Sequence, residues 1–285
     1  MSVNLKGKTV AITGAGRGIG LAIAQALHKQ GAKIAIGDID TALAQQAAAS
    51  LGGHGAFLDV RDRSSFTAFL QGAVEALGPI DILINNAGIM PTGAFEQESD
   101  AISDTQIDIN LRGVIIGCKL AVEMMLAQGG GHIVNVASMA GRLAVPGLAV
   151  YCATKFAVVG LTETLREEYR DRHIHFTSIL PSKVTTDLSS GTDQAASRIP
   201  AVSPDTVAQA VVQALRERQA EVPVPSYLAA LNGMQGMAPH WLLRGIRRAF
   251  GDQAILKGLD ETARAGYNQR INQLLPHASN RRKLR

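Results

Sequence analysis

Six short runs rich in β-branched and aliphatic residues, "KTVAIT", "AKIAIGD", "GAFLDV", "IDILINNAG", "GHIVNVAS" and "IHFTSILP", recur along the chain with Ala/Leu-rich stretches between them. The intervening stretches are long enough for crossover helices, and a strand as continuously apolar as "DILIN" has no face left for water. Strands buried on both faces belong in a parallel sheet with helices on either side. Right-handed crossovers then predict a Rossmann-like, doubly wound α/β fold of about seven strands. Beyond this βα rhythm there is no internal repeat.

At 285 residues, with 46% hydrophobic and 18% charged residues, the chain is expected to fold as one large domain with an appendage. Cys118 and Cys152 are its only cysteines, which gives neither a disulfide framework nor a zinc pattern and fits a reducing compartment. "MSVNLKGKTV" has no signal-peptide core, and Lys119 and Glu123 interrupt the longest apolar run, "VIIGCKLAVEMMLA". The expectation is a soluble, cytoplasmic protein. The seven histidines show no ligand spacing, so no metal is expected, and His173 and His175 read as strand-edge residues.

Near Glu221 the pattern changes, as "EVPVPSYLAALNGMQGMAPHW" brings prolines and glycines before a new helical section. A dinucleotide-binding and catalytic domain is expected over 1–225, and a helical, basic extension over 226–285. Residues from His240 onward carry a net charge of +7, against −3 for the rest, so no uniformly basic nucleic-acid-binding surface is expected. Within the extension, Leu242, Leu243, Ile246 and Phe250 share one face opposite Arg244, Arg247 and Arg248. A second periodic run follows through Leu259, Ala263, Tyr267, Ile271 and Leu274. Trp241 to Phe250 reads either as a helix lying peripherally on an anionic membrane or as a cover over the active-site mouth or a subunit interface. Asp187 to Ser203, "DLSSGTDQAASRIPAVS", reads as plain loop or as a substrate lid.

The turn "TGAGRGIG", Thr13 to Gly20, joins the first strand to the first helix. Gly14, Gly16, Gly18 and Gly20 remove side chains where a diphosphate must approach the backbone, and the helix that follows offers free N–H groups and a positive dipole end. Arg17 and Ile19 lie in the same turn. Asp38, eighteen residues beyond Gly20 at the end of the next strand, would accept hydrogen bonds from both hydroxyls of an adenosine ribose. Its charge would repel a 2′-phosphate and favours NAD over NADP, whereas Arg17 could pair with that phosphate. Asp59, beside Val60, falls where an adenine amino group could be met. In "YCATK", Tyr151 and Lys155 are one turn apart on one helix face. A phenol of pKa about 10 needs such a cation to act as acid or base near neutral pH. Cys152 is read as a small buried hydrophobe and not as a nucleophile.

Taken together, these residues resemble the single-domain short-chain dehydrogenases/reductases. The chain has TGxxxGxG at Thr13 to Gly20, "NNAG" at Asn85 to Gly88, Asn110 in "NLRGV", Ser138 in "VASMAG", and YxxxK at Tyr151 and Lys155, covering residues from about 5 to 225. The resemblance implies an NAD(H)-dependent oxidoreductase interconverting a secondary alcohol and a ketone, with an apolar appendage that hints at a bulky hydrophobic substrate. An NADP(H)-dependent ketoreductase and a catalytically silent dinucleotide sensor are the alternatives. By the resemblance, Tyr151 exchanges a proton with the substrate oxygen, and Lys155 lowers the phenol's pKa and holds the nicotinamide ribose. Ser138 holds the substrate oxygen, and Asn110 positions a relay water. It also implies that Asn86, Ala87 and Gly88 lie near the adenosine half, and that Pro181, Val184 and Thr186 flank the nicotinamide. Ser182 stands where the family usually has glycine, which leaves the local backbone open. A homodimer or homotetramer formed through the helices around Asn110 to Met125 and after Tyr151 is likewise implied.

Overall fold

The computed structural model describes residues 3–192, 201–229, 258 and 260–275. Seven strands form one parallel sheet: β1 (Thr9–Thr13), β2 (Lys33–Asp38), β3 (His54–Phe57), β4 (Ile82–Asn85), β5 (Gly131–Val136), β6 (Ile174–Pro181) and β9 (Glu221–Val224). Their order, β3-β2-β1-β4-β5-β6-β9, reverses direction between β1 and β4, so the carboxyl ends of those two strands flank a crevice. All the predicted strands are present. The seventh, β9, was hidden in the sequence by Pro223 and by Pro225 just after it. As an edge strand it tolerates a residue that donates no ladder hydrogen bond. A two-residue pair, β7 (Lys183–Val184) with β8 (Ala201–Val202), lies within and just before the segment read as loop or lid. Residues 193–200 of that segment lie outside the described residues.

The period-two alternation of each strand divides the core between two layers. Val10, Ile12, Ile34, Ile36, Ile82, Ile84 and Val134 face α1 (Gly18–His28), α2 (Thr41–Ala49) and α7 (Pro204–Glu217), where they meet Ile23, Leu27, Val207 and Val211. Ala11, Ala35, Leu83 and Ile133 face α3 (Arg63–Leu77), α5 (Gly113–Ala127) and α6 (Ala149–Glu168), and pack on Phe66, Phe69, Met125 and Val158. Each large buried side chain contributes about 1.5–3 kcal/mol. Between the layers, a polar ladder sets α6 against the sheet. Asn85 Nδ2 donates to Asn135 Oδ1 (2.8 Å), and Asn135 Nδ2 donates to Thr162 Oγ1 of α6 (2.8 Å). Fully satisfied buried groups of this kind fix one register, and thereby the height at which the side chains of α6 meet the strand ends.

α4 (Asp100–Ile107) runs into α5 through a widened turn, Asp108–Arg112, with i→i+5 hydrogen bonding. A further helix, α8 (Glu261–Leu274), is capped by Asp260 and buries Arg264, Tyr267 and Ile271. Tyr267 and Ile271 join the α5/α6 core layer, as the apolar stripe predicts. The stretch Trp241 to Phe250, read as a membrane or cover helix, lies outside the described residues. Among the described residues, no helix is long and apolar enough to cross a membrane.

Candidate active site

The loop after β1 turns with Gly14 at φ +62° and Gly18 at φ +59°, left-handed conformations that a side chain resists. Gly16 must also be a glycine. A Cβ there would lie 3.0 Å from Asp38 Oδ2, the atom that accepts a 2.9 Å hydrogen bond from the Gly16 N–H. Arg17 sits at the N-cap of α1 with extended backbone and no side-chain capping bond, so the turn containing Gly18, Ile19 and Gly20 presents its N–H groups to the crevice without a capping oxygen. The residues fit a dinucleotide on these grounds: uncapped donors at a helix start, and a buried carboxylate beside them.

Asp38 is 8% exposed; Oδ2 accepts from Gly16, and Oδ1 accepts from the Asp40 N–H at 3.1 Å, which leaves each oxygen further acceptor capacity. Arg17, the residue that argued for a 2′-phosphate, is drawn to two other carboxylates, Asp40 at 3.5 Å and Asp187 at 3.9 Å. Asp59 has an unforeseen duty. It takes a forked pair from Arg61 (Nε–Oδ1 2.9 Å, Nη2–Oδ2 2.7 Å), while Arg61 Nη1 donates to the Leu274 carbonyl at the end of α8 (2.7 Å). Burial would raise the Asp59 carboxyl, but the Arg61 bonds outweigh it and hold the group below its ordinary value. Val60 is buried beside it.

After β4, Asn86 and Ala87 brace the crevice floor. Both N–H groups donate to Thr13 Oγ1 (3.0 Å each), and Asn86 Nδ2 donates to the carbonyls of Thr13 and Gly14. Gly88 sits where a Cβ would be 3.2 Å from Asn110 Oδ1 and 3.7 Å from Lys155 Nζ, so the three groups meet at one place. The widened turn directs Asn110 inward, fully buried. Its amide clamps Ile89, accepting from the N–H and donating to the carbonyl (2.8 Å each), and Nδ2 also reaches Thr154 Oγ1 at 3.3 Å. Thr154 in turn donates to the Tyr151 carbonyl (2.7 Å). Thr13 entered the sequence reading only as the first residue of TGxxxGxG, and Thr154 did not stand out, because a single threonine carries no spacing signal.

Tyr151 and Lys155 are both buried on the first turns of α6. Lys155 Nζ lies 5.6 Å from the Tyr151 ring centroid and donates to the Val136 carbonyl at 2.9 Å. Burial lowers the ammonium's pKa to about 8. Burial also pushes the Tyr151 phenol well above its usual value, while a hydrogen bond with Ser138 opposes that push. Ser138 Oγ is held in place by the Ala140 N–H (3.1 Å) and lies 3.4 Å from the Pro181 carbonyl. Ser182 keeps an ordinary negative φ and donates its N–H to Val224 (2.8 Å), so the expected glycine is not needed. Val184 is buried, and its carbonyl accepts from Ser189 Oγ (2.6 Å); Thr186 caps the turn Asp187–Ser189. Cys152 is buried, with its thiol pKa raised by that burial, as expected of a packing residue.

Residues missed by the sequence reading surround the Tyr151 side of the crevice. Met90, Val145 and Leu148 pack against Tyr151, and α8 lies over Met90. The Met90 N–H donates to Tyr267 Oη (2.8 Å), and Arg264 Nη2 donates to the Met90 carbonyl. The periodic stripe in α8 pointed to Tyr267, whereas nothing in the pattern singled out Arg264.

A family profile described as short chain dehydrogenase matches residues 8–197. The chain is 38% identical over 191 residues to 2-(S)-hydroxypropyl-CoM dehydrogenase 3 of Xanthobacter autotrophicus, spanning 65% of this chain and 75% of that protein. To D-threitol dehydrogenase of Mycolicibacterium smegmatis it is 39% identical over 189 residues, 65% and 73% of the two chains. A crystal structure of a short chain dehydrogenase/reductase from Burkholderia phymatum in complex with NAD superposes with a TM-score of 0.75 at 28% identity, covering 82% of this chain and 94% of that one. With the uncapped helix start, Asp38, and the Ser138, Tyr151 and Lys155 cluster gathered at the carboxyl edge of one parallel sheet, the chain belongs to the short-chain dehydrogenase/reductase family of oxidoreductases.

Proposed function

We propose that this protein is an NAD(H)-dependent oxidoreductase that interconverts a secondary alcohol and a ketone. The observation that carries the reading is the joint burial of Tyr151 and Lys155 one helical turn apart, with Ser138 against the phenol, at the mouth of a crevice with uncapped N–H donors. When bound, the dinucleotide supplies the nicotinamide that gives or takes the hydride. Ser138 and Tyr151 hold the substrate oxygen between two hydroxyls, and Tyr151 gives that oxygen a proton in reduction or takes one in oxidation. Lys155, pinned by the Val136 carbonyl, keeps a positive charge beside the phenol and so favours its anionic form at the moment of proton transfer. Asn110 Oδ1 keeps a second lone pair and, like Lys155 Nζ, borders the space beside Gly88, which supports a role in relaying that proton outward.

Asp38 supports NAD over NADP, because a buried carboxylate to which no cation is bonded among the described residues repels a 2′-phosphate. Asp59 and Val60 would flank the adenine, Asn86 to Gly88 the adenosine side, and Pro181, Val184 and Thr186 the nicotinamide. The apolar wall of Met90, Val145 and Leu148 supports a substrate with a hydrophobic body. A catalytic domain ending near residue 225, followed by an extension that folds back over the site, accounts for the position of α8. Incubating the purified chain with NAD⁺ and a panel of secondary alcohols, and with NADH and the matching ketones, tests the proposal. Turnover in at least one pair, faster with NAD(H) than NADP(H), is expected. Tight NADH binding without turnover across the panel would instead indicate a dinucleotide sensor.

A further inference from the structure

Arg264 is a fully buried cation that, among the described residues, forms no ion pair with a carboxylate. Its guanidinium donates only to backbone carbonyls: Nη2 to Met90, and Nη1 to Ser190 (2.8 Å) and Leu188 (3.2 Å). Among the described residues Nε has no hydrogen-bond partner. The group stacks over the Tyr267 ring, 4.7 Å from its centroid. A buried charge with no carboxylate against it is strongly disfavoured unless something else compensates it. Burial accordingly lowers the pKa of this guanidinium.

The position of the charge points to what compensates it. Tyr267, one turn further along α8, accepts from the Met90 N–H, and among the described residues its own hydroxyl proton has no acceptor. Tyr267 is close enough to Tyr151 to oppose that phenol's ionisation. Met90, gripped at its N–H by Tyr267 and at its carbonyl by Arg264, packs in the cluster that contains Tyr151 and Leu148. In a planar guanidinium Nε and Nη2 share an edge, so the unused Nε–H opens toward the Met90 side. Two buried donors, one of them charged, therefore stand unsatisfied among the described residues where α8 grips Met90, a residue packed in the Tyr151 cluster. A carboxylate has two oxygens to receive them and a charge to balance the cation.

We propose that Arg264 and Tyr267 form a specificity site of this oxidoreductase, which receives the carboxylate of a hydroxy acid or keto acid while Tyr151 and Ser138 hold the oxygen that reacts. The inference rests on the alcohol and ketone chemistry proposed above. Oxidation sends the carbinol hydride to the nicotinamide and the hydroxyl proton to Tyr151, and the carboxylate stays unchanged. Such a substrate has a charged end at α8 and an apolar body along Met90, Val145 and Leu148.

The test uses the full chain with NAD⁺ and a homologous series from β-hydroxybutyrate to β-hydroxydodecanoate, each acid beside its methyl ester. For the acids that wild type oxidises, kcat/KM is expected to exceed that of the ester by about a hundredfold, and Arg264→Met to remove that preference by lowering the acid alone. Arg264→Lys should restore part of it, and Tyr267→Phe should cost the acid about tenfold. Equal use of acid and ester by wild type, or an equal loss on both in Arg264→Met, would overturn the assignment. Turnover of the neutral esters in that case would leave the oxidoreductase reading intact. If Arg264→Met fails to fold, judged by NADH binding and melting, the wild-type ratio together with Arg264→Lys decides.

Discussion

At the scale of single residues, the site is built by burying groups that would rather stay in water. Lys155, with its pKa lowered to about 8, is the clearest instance. In the unfolded chain the same amine titrates near 10.5. Between these values the unfolded state binds the extra proton, so the lysine's penalty is fully present below pH 8 and is relieved as pH rises toward 10.5. Denaturant unfolding should show this directly: the stability of wild type minus that of Lys155→Met rises by about 2–3 kcal/mol across this window. No rise would mean that the ammonium is better solvated than its position implies. Asp38 makes a second residue-scale prediction. Asp38→Ser removes the charge that a 2′-phosphate would face, and should shift the ratio of kcat/KM for NADP⁺ over NAD⁺ upward by at least about tenfold. An unchanged ratio would place cofactor choice elsewhere. Tyr151 and Lys155 were picked out in the sequence by their one-turn spacing, and Ser138 and Asn110 by the family resemblance. Arg61, Thr154 and Arg264 were not, since each acts through partners far away in sequence, 213 residues away for the contact between Arg61 and Leu274.

At the scale of elements, position is set by contacts that pattern alone does not reveal. The β-branched, apolar runs gave β1 to β6 and the helical crossovers, but the widened turn at Asp108–Arg112 depends on Asn110 finding Ile89. β9 was obscured because proline is a poor strand former everywhere except at an edge. His175, read as an edge residue, lies inside β6 opposite His132 of β5, with ring centroids 5.7 Å apart. Thr177 Oγ1 donates to the Gln219 carbonyl, so the bond between it and His132 Nε2 (2.8 Å) must be donated by the imidazole, fixing the tautomer. Burial lowers the His132 pKa to about 3. Its unfolded value is 6.5, so below that pH the unfolded state gains a proton that the folded state refuses, and stability falls as pH drops toward 3. Urea titrations from pH 7 to 4 should therefore show a shallower loss in His132→Gln than in wild type. Parallel curves would contradict the assignment.

At the scale of the whole molecule, the doubly wound sheet places every proposed functional group at one edge. β1 and β2 contribute the nucleotide side, β4 and β5 the floor and Ser138, and α6 the Tyr151 and Lys155 pair. This arrangement followed from the sequence almost entirely, because parallel strands and right-handed crossovers admit few alternatives. What did not follow is how the carboxyl-terminal part closes the site, since an amphipathic stripe states that a helix packs without stating where. Phe156 of α6 and Leu126 of α5 are more than two-fifths exposed. Those helices are the ones through which we propose that copies associate. Light scattering should find a dimer or tetramer, and Phe156→Glu should shift it toward monomer; a monomeric wild type would exclude the association. The central claim is that the buried Tyr151 hydroxyl moves the proton in a site whose dinucleotide binding does not depend on it. The most direct measurement compares turnover and NADH affinity in wild type and Tyr151→Phe. We predict a fall in kcat of about 10²–10⁴-fold with the Kd for NADH changed by less than about threefold. Turnover close to that of wild type in the phenylalanine variant would contradict it.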